Sequence, residues 1–414
     1  MVRLKSCIKK YKKDTHRAVP PEETLSRIES KMAAAGITRV ADITDLDRIG
    51  IPVFSSIRPT ADDGAISVYN GKGATPEEAM ASAMMEGIER YSAEVHDREL
   101  VKGRFSELSS DRNALNPDEL ILPHSTNHDQ SIQWTWGYDL MNDEEILVPA
   151  SAVFHPLPLF RDCALLFRTN TNGLASGNEI EEAIFHGLSE VIERDAWSLV
   201  ETSRNTGPVI TSPDNGMIGD LMNRFSDAEV SVQIRDMTSD IGIPTFAAVS
   251  DDALLKDPAL LTIGMGAHTD AYVAMLRAIT EVAQSRLTQI HGAREDTTVA
   301  EFRTKIGYER TKRINKHWFG VSDGTGTVDR DFDSITSFES DDFLDDIGHM
   351  IKNLECAGMD RVIVVDLTRS EIDVPVVRVI VPGLEVYAMD SERSGTRCNH
   401  EREKNRRFCR AKHR

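Results

Sequence analysis

Cysteine, aromatic residues, long apolar runs and positive charge are all scarce in this chain. The five cysteines (Cys7, Cys163, Cys356, Cys398 and Cys409) are scattered, with no CxxC pair and no Cys/His metal spacing. That excludes a disulfide framework and a zinc ribbon, and the cysteines read as free thiols of a reducing compartment. No stretch approaches the roughly 20 apolar residues that span a bilayer. The basic N-terminus, MVRLKSCIKKYKKD, has no apolar core behind it, so no signal peptide is read and the expected compartment is the cytoplasm. The net charge is −19, which argues against a general nucleic-acid binder, because phosphate backbones need a basic surface. Two nucleotide signatures are also missing. There is no GxxxxGKS/T, so a P-loop is excluded, and no GxGxxG after a strand with a later acid.

What is present suits a globular protein. The chain has 414 residues, of which 40% are apolar, enough for one large core or two to three modest ones. Short β-branched runs at Arg361–Leu367 and Val374–Val381 read as buried strands. Trp134–Asp139 and Glu145–Val148 flank Met141-Asn142-Asp143-Glu144, a hairpin signal. Amphipathic helices are predicted over 75–95, 179–200 and 270–291, and the polar stretch from Ser110 to Gln130 reads as a surface loop. Interleaving of this kind predicts an α+β body with mixed β-sheets packed with helices. The acidic run from Asp331 to Asp346, with Glu339, Asp341, Asp342 and Asp345, reads as a solvated face or linker. The basic stretch from Arg397 to Arg414 has little apolar content and reads as a flexible or docking tail.

The most informative feature is a threefold internal repeat. The three segments are GKGATPEEAMASAMMEGIER (Gly71 to Arg90), GLASGNEIEEAIFHGLSEVIER (Gly173 to Arg194) and GMGAHTDAYVAMLRAITEVAQSR (Gly264 to Arg286). When Glu86, Glu190 and Glu281 are aligned, an alanine stands seven residues before each (Ala79, Ala183, Ala274), as close helix packing expects. Ser82, His186 and Arg277 stand four before, and Glu89, Glu193 and Gln284 three after. The glycines ahead of each helix suit a tight turn, and Gly71-Lys72-Gly73 is read as turn geometry rather than ligand contact. Positions i, i+4 and i+7 lie within roughly 60° of one another on a helix, so each segment carries a polar stripe. One such stripe is easily a solvated face with internal Glu–Arg pairing. Three copies beside apolar faces are better explained by convergence on a multi-carboxylate site for divalent cations. Hard oxygen ligands suit Mg2+, which in such sites usually accompanies a phosphate substrate. Arg194 and Arg277 would then face phosphates.

These residues resemble the YcaO family over nearly the whole chain, and the family's discontinuous ATP signature spans all three helices. Ser82-x3-Glu86-x2-Glu89-Arg90 matches its first element. Asn178-x3-Glu182 with Glu190-x2-Glu193-Arg194 matches the second, and Arg277-x3-Glu281 the third. The resemblance implies a YcaO-type fold in which the three related helices converge on an ATP site. It assigns ATP contacts to Ser82, Asn178, Glu182, Arg194, Arg277 and Glu281, and Mg2+ to Glu86, Glu89, Glu190 and Glu193. Arg17 and Thr24 stand where family members use a basic residue and a hydroxyl. His186 takes the donor position of the second stripe, and a structural role for it is as plausible as a catalytic one.

The implied division is an N-terminal segment over 1–60, a YcaO catalytic domain over 61–390 and a basic, flexible tail over 391–414. The implied chemistry is ATP-dependent activation of a backbone amide, giving a thioamide with sulfide or an azoline with a neighbouring Cys, Ser or Thr. Azoline-forming members end on a proline-rich tail, whereas this chain ends in NRRFCRAKHR without PxP, which favours the stand-alone, thioamide-forming type. The THR at Thr15–Arg17, the GITRVADITDLDRIGIPV segment and VPGLEVYAMD are similar to archaeal members. In methanogens those members are associated with thioglycine formation in methyl-coenzyme M reductase and with a TfuA-like partner. The expected partners are therefore a protein or peptide substrate such as that enzyme's α subunit, a TfuA-like protein and a sulfide source. Nucleic acid and membrane are not expected, and a homodimer is left open. An azoline cyclodehydratase and a non-catalytic, regulatory ATP-binding protein remain the competing readings.

Overall fold

A computed structural model describes residues 2–127, 129–293, 298–320 and 330–412. The chain opens with a small hairpin of β1 (Tyr11–Lys12) and β2 (His16–Arg17), followed by helix α1 (Pro21–Ile28). Strands β3 (Arg39–Asp42), β4 (Val53–Ile57) and β5 (Val68–Lys72) form an antiparallel sheet that leads into α2 (Pro76–Ser92). Next come β6 (Val101–Gly103), the short α3 (Phe105–Leu108), the hairpin β7 (Ile132–Asp139) and β8 (Glu144–Pro149), then β9 (Leu174–Ser176) and α4 (Ile180–Ser203). The third part holds β10 (Val209–Thr211), α5 (Gly216–Asp227), β11 (Ser231–Asp236), β12 (Thr245–Asp251), β13 (Thr262–Ala267) and α6 (Ala271–His291). The remainder runs α7 (Thr298–Ile306), α8 (Tyr308–Ile314), α9 (Lys316–Phe319), β14 (Arg330–Asp331), α10 (Phe343–Cys356), β15 (Ile363–Asp366), β16 (Val376–Ile380) and α11 (Thr396–Lys412).

A six-stranded sheet has the order β6-β7-β15-β16-β9 with β8 also on β7, and a five-stranded sheet has the order β13-β12-β11-β10-β14. All pairings between these strands are antiparallel except β10 with β14, so the expected α+β body holds and its sheets are mixed at that edge. Among the described residues, no helix is long and apolar enough to cross a membrane.

The three repeats are three strand-to-helix units, β5 to α2, β9 to α4 and β13 to α6. Gly173 turns the chain with a φ of +77°, but Gly71, Gly177 and Gly266 serve close approach. A Cβ on Gly71 would lie 1.9 Å from the Ala83 backbone nitrogen, and one on Gly266 would lie 2.1 Å from the Ala274 carbonyl. In the middle unit, a Cβ on Gly177 would stand 2.6 Å from the Ala183 nitrogen. Bare strand backbone therefore sits directly under the helix, and Ala79, Ala183 and Ala274 are fully buried at the contact. In the outer units the neighbouring strand sets a phenylalanine opposite the glycine, Phe54 across from Gly71 and Phe246 across from Gly266. Its ring packs with the same alanines. A side chain from the next strand thus fills the space that the glycine leaves.

The helix starts follow capping chemistry. The Thr75 side chain accepts from the Glu78 amide at 3.3 Å ahead of Pro76, and the Asp270 side chain accepts from the Tyr272 amide at 2.8 Å. Such caps satisfy donors that the first turn leaves without partners.

Two charged stretches expected to be solvated or flexible are tied down. In the acidic run, Asp342 caps α10 and accepts from the Cys7 amide at 2.7 Å, while the buried Asp346 pairs with the buried Lys9. Lys12 reaches Asp341 at 2.7 Å. These contacts hold the N-terminal hairpin in place, a tertiary use of acid that local composition does not reveal. In place of a flexible C-terminal tail, residues 396–412 are helical. Arg397 bonds Asp195 at 2.9 Å and Asp240 at 2.6 Å, and the Cys398 amide donates to Glu385 at 2.8 Å. Cys7, Cys163, Cys356 and Cys398 are free thiols.

Candidate functional site

The three repeated helices converge. Their polar stripes line one cavity of about 650 Å³, and every residue assigned to nucleotide or metal in the sequence stands on its wall. Helix α2 supplies Ser82, Glu86 and Glu89, while α4 supplies Glu182, Glu190, Glu193 and Arg194. Helix α6 supplies Arg277 and Glu281, and Asn178 comes from the β9–α4 turn. Arg17 arrives on β2 and Thr24 on α1, carried in by the anchored N-terminal hairpin. Their approach depends on the clamp to α10 described above.

Inside the cavity, acids and bases alternate. Arg90 donates to Glu86 at 3.0 Å, and Arg194 stands 3.7 Å from Glu190 and 3.6 Å from Glu193. Glu182 accepts from the Ala18 amide at 3.0 Å and faces Arg17 at 3.7 Å. Thr24 donates to the Asn178 side-chain oxygen at 3.0 Å. Ser176 donates to Glu89 at 3.3 Å. Ser82 Oγ stands 3.4 Å from the Lys72 amide.

Burial dominates the electrostatics. It pushes the Glu89 carboxyl up to about 8, an effect that Arg90 opposes and that Glu86 and Glu190 reinforce. Burial also raises Glu182, Glu190 and Glu193, each partly offset by a facing arginine. Glu281 goes the other way. Burial raises it, but the Lys72 ammonium, Arg194 and the Met265 amide outweigh that and hold it ionised. His186 is pushed well below the ordinary imidazole value by burial and by Arg17 and Arg277. It is therefore neutral, and its Nε2 accepts from Arg17 at 2.5 Å. The ring donates to the Ser176 backbone and accepts from Arg17, so His186 orients Arg17.

Lys72 was missed as a site residue. It was set aside with its glycines as turn geometry, yet it ends β5 inside the cavity and pairs with Glu281. Its signal was the position itself, the last residue of a strand that feeds the first stripe.

Whether a magnesium nucleotide fits is answered by the donors left over. Arg90, Arg194 and Arg277 each bury an Nε that makes no hydrogen bond, and all three line this cavity. Three guanidinium groups brought from three helices to one cavity wall suit an oxygen-rich anion. The raised carboxyls equally gain from a cation. Among the described residues no three acidic, imidazole or thiol groups form a ready-made cation cage. Magnesium commonly takes one or two carboxylates and completes its shell with phosphate oxygens and water, so the residues present fit the pair together.

Comparison with known proteins gives consistent matches. Residues 70–385 match a family described as YcaO cyclodehydratase, ATP- and Mg2+-binding. An uncharacterised protein of Methanothermobacter thermautotrophicus is 53% identical over 385 residues, 92% of this chain and 98% of its own. A protein of the tfuA 3′ region of Rhizobium leguminosarum bv. trifolii is 34% identical over 391 residues, 89% of each. Among solved structures, YcaO from Methanopyrus kandleri bound with AMPPCP and Mg2+ superposes with a TM-score of 0.78 at 30% identity, covering 94% of this chain and 98% of that one.

Proposed function

The chain belongs to the YcaO family, and on that premise we propose that it uses ATP and Mg2+ to convert a backbone amide of a protein or peptide into a thioamide. The observation that carries this reading is the convergence of Arg194 and Arg277 with the carboxylates of three helices on one cavity. A triphosphate suits guanidinium groups gathered on one wall, each of which has several N–H donors. In this reading Ser82, Asn178, Glu182, Arg194, Arg277 and Glu281 contact the nucleotide, and Arg17 and Thr24 close over it. Glu86, Glu89, Glu190 and Glu193 are the ligands of Mg2+, which when bound neutralises charge on the phosphate oxygens. Lys72 holds Glu281 ionised beside them.

An amide carbonyl is a poor electrophile. A nucleophile adds to its carbon, and the resulting oxyanion attacks the γ-phosphorus as ADP leaves. The tetrahedral species then expels phosphate and with it the original amide oxygen. Hydrosulfide as nucleophile leaves C=S after losing its proton, whereas a neighbouring Cys, Ser or Thr leaves an azoline. Arg194 and Arg277 stabilise both developing anions in a site already organised for charge.

The relative encoded beside tfuA supports a TfuA-like partner, and the thioamide product requires a sulfide source. The relatives from Methanothermobacter and Methanopyrus support an archaeal-type member. The α subunit of methyl-coenzyme M reductase, modified at a glycine, is the substrate we assign.

Calorimetric titration of ATP with and without Mg2+, on wild type and Glu193→Gln, tests the site. The expected result is magnesium-dependent binding and turnover in the wild type, both lost in a variant that stays folded by circular dichroism. Normal turnover by Glu193→Gln refutes the metal role of Glu193. Product mass then decides the chemistry, since sulfur-for-oxygen exchange raises it and loss of water lowers it.

A further inference from the structure

Strand β13 is an edge strand: among the described residues it pairs with β12 and with no strand on its other side. In an antiparallel ladder, alternate residues direct both their N–H and C=O to the same side. The His268 amide, just past the strand, bonds back to the Pro244 carbonyl at 3.1 Å, so even-numbered residues face β12. The Met265 amide bonds the Glu281 carboxylate at 3.3 Å instead, so odd-numbered residues face outward. Two of the outward positions are occupied by side chains. Glu281 caps Met265, and Arg303 of α7 donates to the Leu261 carbonyl at 3.2 Å. Between them lies Ile263, whose outward amide and carbonyl no side chain caps among the described residues.

Ile263 lines the same cavity as the carboxylates and arginines, together with Trp197, Met389 and Arg303. Trp197 and Ile263 pack in one apolar cluster, and Met389 is 39% exposed on the rim. Glu281 thus belongs to both halves of the cavity, bonded to Lys72 on the polar side and to the strand edge on the other.

We infer that an extended segment of the substrate polypeptide pairs with the β13 edge at Ile263, between the Arg303 and Glu281 caps, its backbone laid beside Trp197 and Met389. The inference rests on the amide-activating reading and specifies how the amide is delivered. Strand addition reads a polypeptide through its own N–H and C=O, so the site selects extended backbone and is indifferent to most side chains. Of the outward residues of the strand, Ile263 is the one that lines the cavity, and the Arg303 and Glu281 contacts on either side of it set the register. The amide next to the pairing residue is the one brought towards Glu281 and the nucleotide.

The test uses the full chain with AMPPCP and Mg2+ and a pool of glycine-centred peptides with random flanks, each carrying a photoreactive diazirine residue beside the glycine. Expected cross-links map to Trp197, Ile263 or Met389. N-methylating the two peptide bonds flanking the glycine lowers their yield about three- to tenfold, the worth of one backbone hydrogen bond. Ile263→Pro, which removes the outward donor at a place where an edge strand tolerates proline, gives the same loss, and Ile263→Val does not. AMPPCP titration of each variant reports whether its nucleotide site is intact. If Ile263→Pro fails to fold, the N-methylated pool on wild type decides alone. Cross-links mapping elsewhere, no cross-links, or yields insensitive to N-methylation overturn strand addition while leaving a magnesium-dependent nucleotide site standing. Failure of the wild type to bind AMPPCP overturns the underlying reading and this inference with it.

Discussion

Glu89 carries the sharpest consequence of the site's electrostatics. Burial raises its carboxyl to about 8, so without a cation it holds a proton at neutral pH. Ligation of Mg2+ requires the carboxylate, and binding of the magnesium nucleotide should expel that proton. Each pH unit below about 8 then weakens binding roughly tenfold, or about 1.4 kcal/mol. Calorimetry between pH 7 and 9, in two buffers of different ionisation enthalpy, reads the effect twice. Affinity should climb to about pH 8 and level off above it, and the apparent enthalpy at pH 7 should differ between buffers by close to one released proton. Glu89→Gln should bind more weakly and lose most of the slope. The nucleotide's own ionisation is common to both proteins and cancels in their ratio. The raised carboxyls of Glu182, Glu190 and Glu193 have the same sign and broaden the transition. The same shift has a sign for stability. A carboxyl raised in the folded state contributes stability that is complete below its ordinary value of 4.5 and is lost as pH rises through about 8. Melting temperature without nucleotide should therefore fall across that window, and less so in Glu89→Gln. A wild-type affinity that is flat with pH, with no buffer dependence, would refute the assignment of Glu89 as a cation ligand.

Two further outcomes probe the frame around the site. In Gly266→Val the new Cβ would lie 2.1 Å from the Ala274 carbonyl, and overpacking that helix–strand contact should cost about 3 kcal/mol or more. By contrast, Gly348→Ala within α10 meets nothing within 4 Å and should stabilise by about 0.5–1 kcal/mol; thermal unfolding compares the two. Arg397→Met leaves the fully buried Asp195 without its cation and should cost about 3 kcal/mol or more. The fully buried Cys398 should then become alkylated at a rate that wild type does not approach; unchanged protection would refute the anchoring role of Arg397.

What the sequence determined by itself was the repeat and its chemistry. Alanine, donor and carboxylate recur at matched offsets in three segments, and helical geometry puts such offsets on one face wherever the helices lie. That made Glu86, Glu190 and Glu281 legible as equivalents, and Arg194 and Arg277 legible beside them. Strands with strong β-branched patterns, such as Val376–Ile380, were legible for the same local reason.

The tertiary structure decided what depends on distance in space rather than along the chain. Gly71 and Gly266 looked like turn residues because sequence does not show that a helix backbone passes directly above them. Lys72 looked incidental because its partner Glu281 stands on another helix far along the chain. Asp346 and Arg397 sat in charged stretches whose composition favours solvent, but each meets a buried opposite charge supplied by a distant segment. The open edge at Ile263 was invisible for the same reason: local pattern marks a strand, and only packing decides which of its sides has no neighbour. Periodicity is a property of neighbouring residues and survives in one dimension. Burial, pairing and edges belong to the assembled chain and exist only in three.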